Sequence, residues 1–172
     1  MKKTRTLFIA FISLTLTVPA YAAMGKADVQ GTTEGSLVSG IIALTETPEG
    51  LRVSGTFRDV PPGKHGFHIH QTGDCGDEGK AAGGHFNPDG APHGLLSKDG
   101  FKHAHAGDLG NVEIAPDGTG NVNALLPGLT LESGDRSVFG KAFILHEKED
   151  DFGQPTGNAG GRIGCGVIEI VG

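Results

Sequence analysis

After its first 22 residues, the chain of 172 residues lacks long apolar runs, basic clusters and the periodicity of amphipathic helices. No later stretch approaches the about 20 apolar residues of a membrane-spanning helix, so we expect no membrane anchor. Nucleic acid is not expected as a partner either, because binding by counterion release needs a basic face. No window repeats apolar residues at i, i+3, i+4 and i+7, and 30 glycines disfavour helices further. These absences exclude long helices.

The first 22 residues have the pattern of a secretory signal peptide. Two lysines and one arginine form a basic start, residues 7–18 are predominantly apolar, and Ala-Tyr-Ala at 20–22 is a small-x-small cleavage site. We predict a cleaved signal peptide at 1–22 and a single domain at 23–172, exported to the periplasm. Cleavage removes three of the 14 basic residues and none of the 20 acidic ones, which changes the formal net charge from −6 to −9. The exported domain is therefore acidic.

Short runs of alternating apolar and polar residues predict an all-β domain. In the clearest run, Leu51, Val53 and Phe57 alternate with polar side chains at the period of a β-strand. Turn sequences rich in proline and glycine separate the runs, and their close spacing favours antiparallel hairpins. Seven such runs, and a short N-terminal run that would make eight, lie at residues 27–30, 38–46, 51–58, 63–71, 109–115, 120–126, 137–146 and 163–171.

Two segments, residues 72–108 and 147–162, interrupt the strand pattern and are rich in Gly, Pro, Asp and His. A structureless loop of more than about 15 residues is unusual in a compact domain unless a functional feature orders it. The eight histidines of the chain lie in or beside these two segments. One histidine alone is more often a surface or hydrogen-bonded residue, but a cluster of six or more indicates metal binding.

The sequence His68-Ile69-His70 predicts a two-point metal clamp, because the period of a strand sends both imidazoles to one face and Ile69 to the other. Six imidazoles and one carboxylate would give seven ligands in all. Two four-coordinate metal sites need eight, so one histidine would have to bridge two metals. Spacing alone does not identify the bridge. The seven candidates are His68, His70, His85, His93, His105, Asp108 and His146.

Several motifs in this chain resemble those of copper/zinc superoxide dismutases. Residues 66–74, Gly-Phe-His-Ile-His-Gln-Thr-Gly-Asp, resemble the copper-binding signature of that family. Residues 157–168, Gly-Asn-Ala-Gly-Gly-Arg-Ile-Gly-Cys-Gly-Val-Ile, resemble the C-terminal motif with its active-site arginine and one disulfide cysteine. Residues 84–88 and 105–111 are also similar to the family. The match runs from about Val38 to the C terminus and, with the signal peptide, indicates a bacterial, exported member.

The resemblance implies an eight-stranded antiparallel Greek-key β-barrel, or flattened sandwich, with two long metal-binding loops. It also implies one copper ion and one zinc ion per chain, bridged by His85. Four nitrogen donors with an open position suit Cu(II), and a closed set of three imidazoles and one carboxylate suits Zn(II). The implied copper ligands are His68, His70, His85 and His146, and the implied zinc ligands are His85, His93, His105 and Asp108.

The implied activity is the disproportionation of superoxide, the substrate, into dioxygen and hydrogen peroxide, as protection against superoxide outside the cytoplasm. Copper would alternate between Cu(II) and Cu(I), His85 would carry the proton, and Arg162 would attract the anion. Asp150 would link the copper ligand His68 to the zinc ligand His93. A structural ion pair with an acidic loop residue is the alternative interpretation of Arg162.

Cys75 and Cys165 are the two cysteines of the chain, and an even pair in an exported protein favours a disulfide. The resemblance pairs them as well, and two free thiols are the alternative. His65 is similar to a structural histidine of the family. His103 has no role in the family, and we interpret it as a surface residue.

The chain departs from the eukaryotic members in two loops. The loop at 150–162 is shorter and contains no lysine, so the positive charges that assist the arginine in those members are missing beside Arg162. Lys148 lies nearby in the sequence and would replace them in part. The segment between Cys75 and His85 is longer, as in bacterial members. The sequence does not decide whether the protein is a monomer or a homodimer.

Two other functions would use similar features. A copper carrier or store could have the same sandwich, but a complete zinc set and Arg162 would have little purpose in it. A zinc hydrolase keeps three protein ligands, a water and a carboxylate base, whereas four protein ligands leave no vacancy on zinc. The ligand sets therefore favour the dismutase.

Overall fold

The computed structural model describes residues 22–171, and nearly all of the predicted signal peptide lies outside them. No helix in this part of the chain has the length and apolar character that crossing a membrane requires. The elements are β1 Met24–Gly31, β2 Ser39–Thr47, β3 Gly50–Arg58, β4 Gly63–His70, a 3-10 turn at Lys80–Ala82, α1 Leu96–Asp99, β5 Asp108–Ile114, β6 Gly120–Leu126, β7 Ala142–His146, β8 Arg162–Val167 and β9 Glu169–Val171.

The strands pair in antiparallel fashion and close into a barrel. Their order around the barrel is β1, β2, β3, β6, β5, β4, β7 and β8, and β8 pairs again with β1. The neighbours β3–β6 and β4–β7 are not consecutive in sequence, which is the mark of Greek-key connections. β9 pairs with the first residues of β1 as an extra strand. The predicted all-β, eight-stranded barrel is therefore confirmed, with a ninth strand added.

The predicted strand at 137–146 is too long. Only Ala142–His146 joins the barrel. Before it, the backbone N–H of Val138 donates to the carbonyl of Thr130 in the preceding loop, and Gly140 has a φ of 68°. That left-handed conformation ends an extended segment and favours glycine. Apolar loop residues such as Val138 are buried in the same way as strand residues, so the sequence pattern does not distinguish a loop from a strand here.

The predicted strand at 163–171 is two strands, β8 and β9. Ile168 lies between them and is buried. Its backbone N–H donates to Lys141 and its carbonyl accepts from Gly140, so it pairs with the loop before β7 instead of with β1. Apolar residues continue through this interruption, at Val167, Ile168 and Ile170, which is why the sequence merges the two strands.

Alternate side chains of the strands fill the barrel interior. On β1, buried and exposed residues alternate along most of the strand, as the period of two requires. Phe67 of β4 contacts Phe57 edge-on, with 5.3 Å between ring centroids, and stacks on Phe143 of β7 at 4.9 Å. Full burial of each such side chain contributes about 1.5–3 kcal/mol. These contacts fix β4 and β7 side by side.

β4 and β7 are unusual because consecutive residues on both are buried. Ile69 belongs to the barrel core, whereas its neighbours His68 and His70 alternate with it and face outwards. The long loops at 71–107 and 147–161 cover this outer face. Histidine side chains on the outside of the barrel are thereby shielded from solvent, and the candidate site lies between the sheet and the two loops.

Candidate metal centre

Two strands and one loop position the first histidine cluster. His68 and His70 lie on β4, His146 ends β7, and β4 and β7 are hydrogen-bonded neighbours. The loop residue His85 forms an isolated antiparallel bridge with His70. The backbone N–H of Phe86 donates to the carbonyl of Ile69 at 2.8 Å, which extends this pairing. The end of β4 therefore holds the loop histidine beside the strand histidines.

The second cluster is built from the first long loop and the start of β5. Asp108, the first residue of β5, pairs across the sheet with His68 after a β-bulge. Its Oδ2 accepts the backbone N–H groups of Gly94 and His105, each at 2.9 Å. Asp108 thus fixes two separate parts of the loop at once, and its carboxylate is buried beneath them.

The seven candidate ligands converge in two groups of four that share His85. In each group, one donor atom from every residue lies within 4.8 Å of the others, and all of the residues are buried. The groups are His68, His70, His85 and His146, and His85, His93, His105 and Asp108.

Donor spacing in the second group matches a four-coordinate zinc site. The Nδ1 atom of His85 lies 2.8 Å from Asp108 Oδ1 and 3.3 Å from His105 Nδ1. Asp108 Oδ1 is 3.1 Å from His105 Nδ1, and Asp108 Oδ2 is 2.9 Å from His93 Nδ1. Ligand atoms of a tetrahedral zinc ion, at 2.0–2.1 Å from the metal, are about 3.3 Å apart. These residues therefore fit zinc.

Unpartnered nitrogen atoms in the site point to missing metal bonds. The Nδ1 atoms of His68 and His93 are fully buried and make no well-directed hydrogen bond, although His93 Nδ1 lies 2.9 Å from Asp108 Oδ2. A buried polar atom without a partner is costly, and a metal ligand bond satisfies it. In the first group, His70 Nε2 and His146 Nε2 lie 3.4 Å apart, and the other ring nitrogen of His70 lies 2.8 Å from the Gly83 carbonyl oxygen. The free nitrogens thus face one another, as ligands of one copper ion would.

Asp150 joins the two groups from the side opposite His85. Its Oδ2 lies 2.8 Å from His68 Nε2, and its Oδ1 lies 3.0 Å from His93 Nε2. Both rings then donate N–H to the carboxylate, which leaves their Nδ1 atoms free for a metal. The side chain of Asn111 holds Asp150 in turn, because it accepts the Asp150 N–H at 2.7 Å and donates to its carbonyl at 2.9 Å.

Burial keeps three histidines of the first group neutral in the metal-free chain. It lowers the pKa of His70 to about 2, that of His146 to about 3 and that of His85 to about 4, with repulsion from neighbouring imidazoles as a further cause. Neutral imidazole is the form that binds a metal, so these side chains need not lose a proton to coordinate one at neutral pH.

Carboxylates dominate the electrostatics of the second group. Burial works to lower the pKa of His93, but Asp108 and Asp150 outweigh it and raise that pKa to about 9. Burial likewise opposes ionisation of both carboxyl groups, yet their histidine partners hold the two carboxyl pKa values below the ordinary range. The buried carboxylates therefore stay ionised, and in the metal-free chain the positive charge that they attract lies on His93.

Arg162 begins β8 and lies beside the first group. Its Nη1 and Nη2 atoms donate to the carbonyl oxygens of Gly79 and Gly83 at 2.5 and 2.6 Å. His146 is its cross-strand partner at an irregularity of the β7–β8 pairing. Among the described residues no carboxylate pairs with it, so the structural ion pair is not formed. Arg162 and Lys80 line a cavity of about 330 Å³.

A disulfide joins Cys75 to Cys165, as predicted, with 5.7 Å between the Cα atoms. Cys165 packs with Ile144 and Ala82 in a small apolar cluster on the outer face of the sheet. The bond ties the loop that carries both arginine acceptors to β8, which carries Arg162 itself.

The two remaining histidines have the positions expected from the sequence. His65 is buried, and its ring nitrogens lie 2.8 Å from the carbonyl oxygens of His146 and Pro61. It therefore supports the backbone of a candidate ligand and belongs to neither group. His103 is exposed and lies outside both groups.

Sequence reasoning missed the residues that hold the ligands from behind. Gly83 accepts from Arg162 and lies within hydrogen-bond distance of His70 through a backbone carbonyl, which carries no sequence signal. Gln154 bonds to the backbone of His93, and Phe152 stacks on its ring. For Phe152 and Gln154, the available signal in the sequence was their position inside the second predicted loop, at 147–162.

Comparison with known proteins agrees with this geometry. The family model of copper/zinc superoxide dismutase matches residues 38–168, most of the chain. "Superoxide dismutase [Cu-Zn]" of Onchocerca volvulus is 38% identical over 148 residues, which cover 79% of this chain and 91% of the relative. The crystal structure of the clock protein EA4 has a TM-score of 0.78 and 34% identity, covering 91% of this chain and 100% of that one. The chain belongs to the copper/zinc superoxide dismutase family.

Proposed function

We propose that the first group binds copper, that the second binds zinc, and that His85 bridges the two ions while the chain disproportionates superoxide. As a member of the family, the chain is an oxidoreductase whose cofactors are copper and zinc. The observation that carries the assignment of residues is the convergence of two buried four-ligand groups on one shared histidine.

Bound copper would supply the redox chemistry: as Cu(II) it would take one electron from a superoxide, leaving dioxygen, and as Cu(I) it would return that electron to a second superoxide, which becomes hydrogen peroxide by taking up two protons. The protein supplies geometry, charge and protons. His85 directs Nδ1 towards the second group, which leaves Nε2 for the first group. We assign to Nε2 the proton that passes to the reduced substrate, because this atom is the one His85 nitrogen without a partner in the second group.

Arg162 would bind the superoxide anion beside the first group. Its guanidinium is held by two carbonyl oxygens and no carboxylate, so its positive charge is not neutralised by a partner. It lines a cavity of about 330 Å³ with Lys80 and Glu78, and because Lys80 there lies 3.2 Å from Glu78, Arg162 is the charge that would attract the anion. Because the rest of the domain is acidic, this local cation would determine where superoxide approaches.

We also propose that the chain is a bacterial, exported member that acts in the periplasm on superoxide outside the cytoplasm, without a membrane anchor. The support is the signal-peptide pattern at 1–22 and the disulfide, which persists in oxidising compartments. N-terminal sequencing of the protein from a periplasmic extract should give residue 23 as the first. Light scattering of the same preparation measures whether it is a monomer or a homodimer.

The decisive test is superoxide decay in the presence of the exported domain loaded with one copper and one zinc. The control is an equal amount of copper held by a chelator. Decay far faster than the control is expected. Decay no faster than the control, with both metals bound, would leave copper storage as the function.

A further inference from the structure

His93 and His105 are the two candidate zinc ligands that lie in no helix, strand or β-bridge, and the backbone N–H of His105 is already held by Asp108. His68, His70 and His146 lie in strands, and His85 pairs with the end of β4. His93 lies in a segment that belongs to no helix or strand, although the residue is buried. The protein therefore needs another means of fixing its backbone.

The side chain of Gln154 supplies this support. Its Oε1 accepts the backbone N–H of His93 at 3.0 Å, and its Nε2 donates to the His93 carbonyl at 2.8 Å. Within the described residues, no other group bonds to this N–H or carbonyl. Only an amide side chain offers one acceptor and two donors on a planar end, so glutamate or lysine would not replace glutamine here.

The loop that presents Gln154 is compact and also contacts the ring of His93. The backbone N–H of Asp151 donates to the Gly157 carbonyl at 2.9 Å, which closes the loop. The ring of Phe152 stacks on His93, with 6.3 Å between centroids and 20° between planes. A Cβ atom at Gly157 would lie 2.7 Å from His93 Nε2, so this approach requires glycine. Residues 150–157 thus contact both the ring and the backbone of His93.

We propose that Gln154 is a positioning residue for zinc, holding the backbone of His93 so that its Nδ1 stays directed at the other three zinc ligands. The inference rests on the zinc ligands assigned in the proposed function. It adds to them a residue that does not itself bind the metal. Partners that orient metal ligands typically change metal affinity by 10- to 100-fold when they are removed.

The test is the rate at which the copper- and zinc-loaded protein transfers zinc to an excess of a chromophoric chelator. We expect Q154A to release zinc roughly 10- to 100-fold faster than the wild type. Q154E should be at least as fast, because its carboxylate would face the His93 carbonyl without a donor. Gln154 is exposed, so neither substitution removes a buried side chain and both variants should fold.

N158G is the matched control. Asn158 lies in the same loop and bonds to Asp151, but not to His93, and its φ of 52° is one that glycine adopts easily. It should release zinc within about twofold of the wild type. The visible spectrum of cobalt(II) bound in the zinc position should change in Q154A and not in N158G, because only Q154A moves a ligand.

Two results would overturn the inference alone, and a third would overturn it together with the proposed function. If Q154A releases zinc as slowly as the wild type, or if N158G releases it as fast as Q154A, Gln154 does not position His93. If the wild type itself binds no zinc, the zinc set fails, and with it both the proposed function and the inference. Thermal unfolding of the metal-free variants separates a general loss of stability from a local effect.

Discussion

Arg162 and His70 share one hydrogen-bond acceptor, the carbonyl oxygen of Gly83. The guanidinium Nη2 lies 2.6 Å from this oxygen, and His70 Nδ1 lies 2.8 Å from it. A single backbone atom thereby sets the distance between the cation proposed to bind superoxide and a proposed copper ligand. The disulfide fixes the same loop to β8, so this relation depends on covalent as well as hydrogen bonds.

Replacing Arg162 should therefore separate charge from position. R162A should lower kcat/KM for superoxide by roughly 10- to 100-fold, the equivalent of losing a charged contact of about 1.5–3 kcal/mol. R162K keeps the charge but loses the planar fork that reaches two carbonyls, so its activity should lie between those of R162A and the wild type. The measurement is superoxide decay at several salt concentrations.

Salt supplies the control for this prediction. Added salt should slow the wild type, because it screens the attraction between Arg162 and the anion, and should slow R162A much less. Equal salt dependence in the two proteins would show that Arg162 does not attract the substrate.

The disulfide should stabilise the fold and the arginine site together. Cys75 and Cys165 are 90 residues apart, so the chain-entropy model gives up to roughly 4.5 kcal/mol. The C75S/C165S double variant should unfold at a correspondingly lower urea concentration than the wild type. Its activity at low urea should also fall, because the acceptors of Arg162 are no longer tied to β8. Full activity in a folded double variant would contradict the second part.

The side chains of the two buried groups could be named from the sequence as candidate ligands, whereas most of the residues that hold them in place could not. His68 and His70 follow the strand period, and the remaining ligands lie in motifs that resemble a known family. The acceptor on Gly83 is a backbone atom, and Gln154 is an exposed amide in a loop; neither has a periodic pattern or a charge that marks it. Their roles depend on contacts between distant segments.

The same limit explains the errors in the fold. Ile168 and Val138 are buried apolar residues in short apolar-rich runs, which is a signal of a strand. Their backbones instead bond to neighbouring loops, and a left-handed glycine at 140 breaks one run. The pattern of apolar residues indicates which side chains are buried, but not which groups the backbone bonds to. The ends of the strands are therefore the part of the fold that is hardest to predict from the sequence.

Asp150 should control both metal groups through its two histidine contacts. D150N removes the negative charge that faces both rings and places an amide NH₂ where one carboxylate oxygen accepts an N–H, although its remaining oxygen can still accept from the ring nitrogens nearby. We expect zinc affinity to fall by about 10- to 100-fold. Competition with a chelator measures it. The neighbouring D151N is the control, since Asp151 is exposed and contacts neither histidine; equal losses in both variants would contradict the prediction.

The metal-free chain should be most stable near pH 6.5. His70, His85 and His146 have folded pKa values of about 2, 4 and 3, below the ordinary 6.5. The unfolded chain therefore binds more protons below pH 6.5, and each group costs up to about 1.4 kcal/mol per pH unit as the pH falls towards its folded pKa. His93, with a pKa of about 9, acts in the opposite direction: its contribution is complete below pH 6.5 and is lost as the pH rises through 9.

Urea unfolding of the metal-free protein between pH 4.5 and 9 tests this balance. H146Q removes one of the three depressed groups, so the loss of stability below pH 6.5 should become shallower by about one proton. H103Q removes an exposed histidine outside both groups and should leave the slope unchanged. A metal-free chain whose stability rises steadily down to pH 4.5 would show that these imidazoles are not buried neutral.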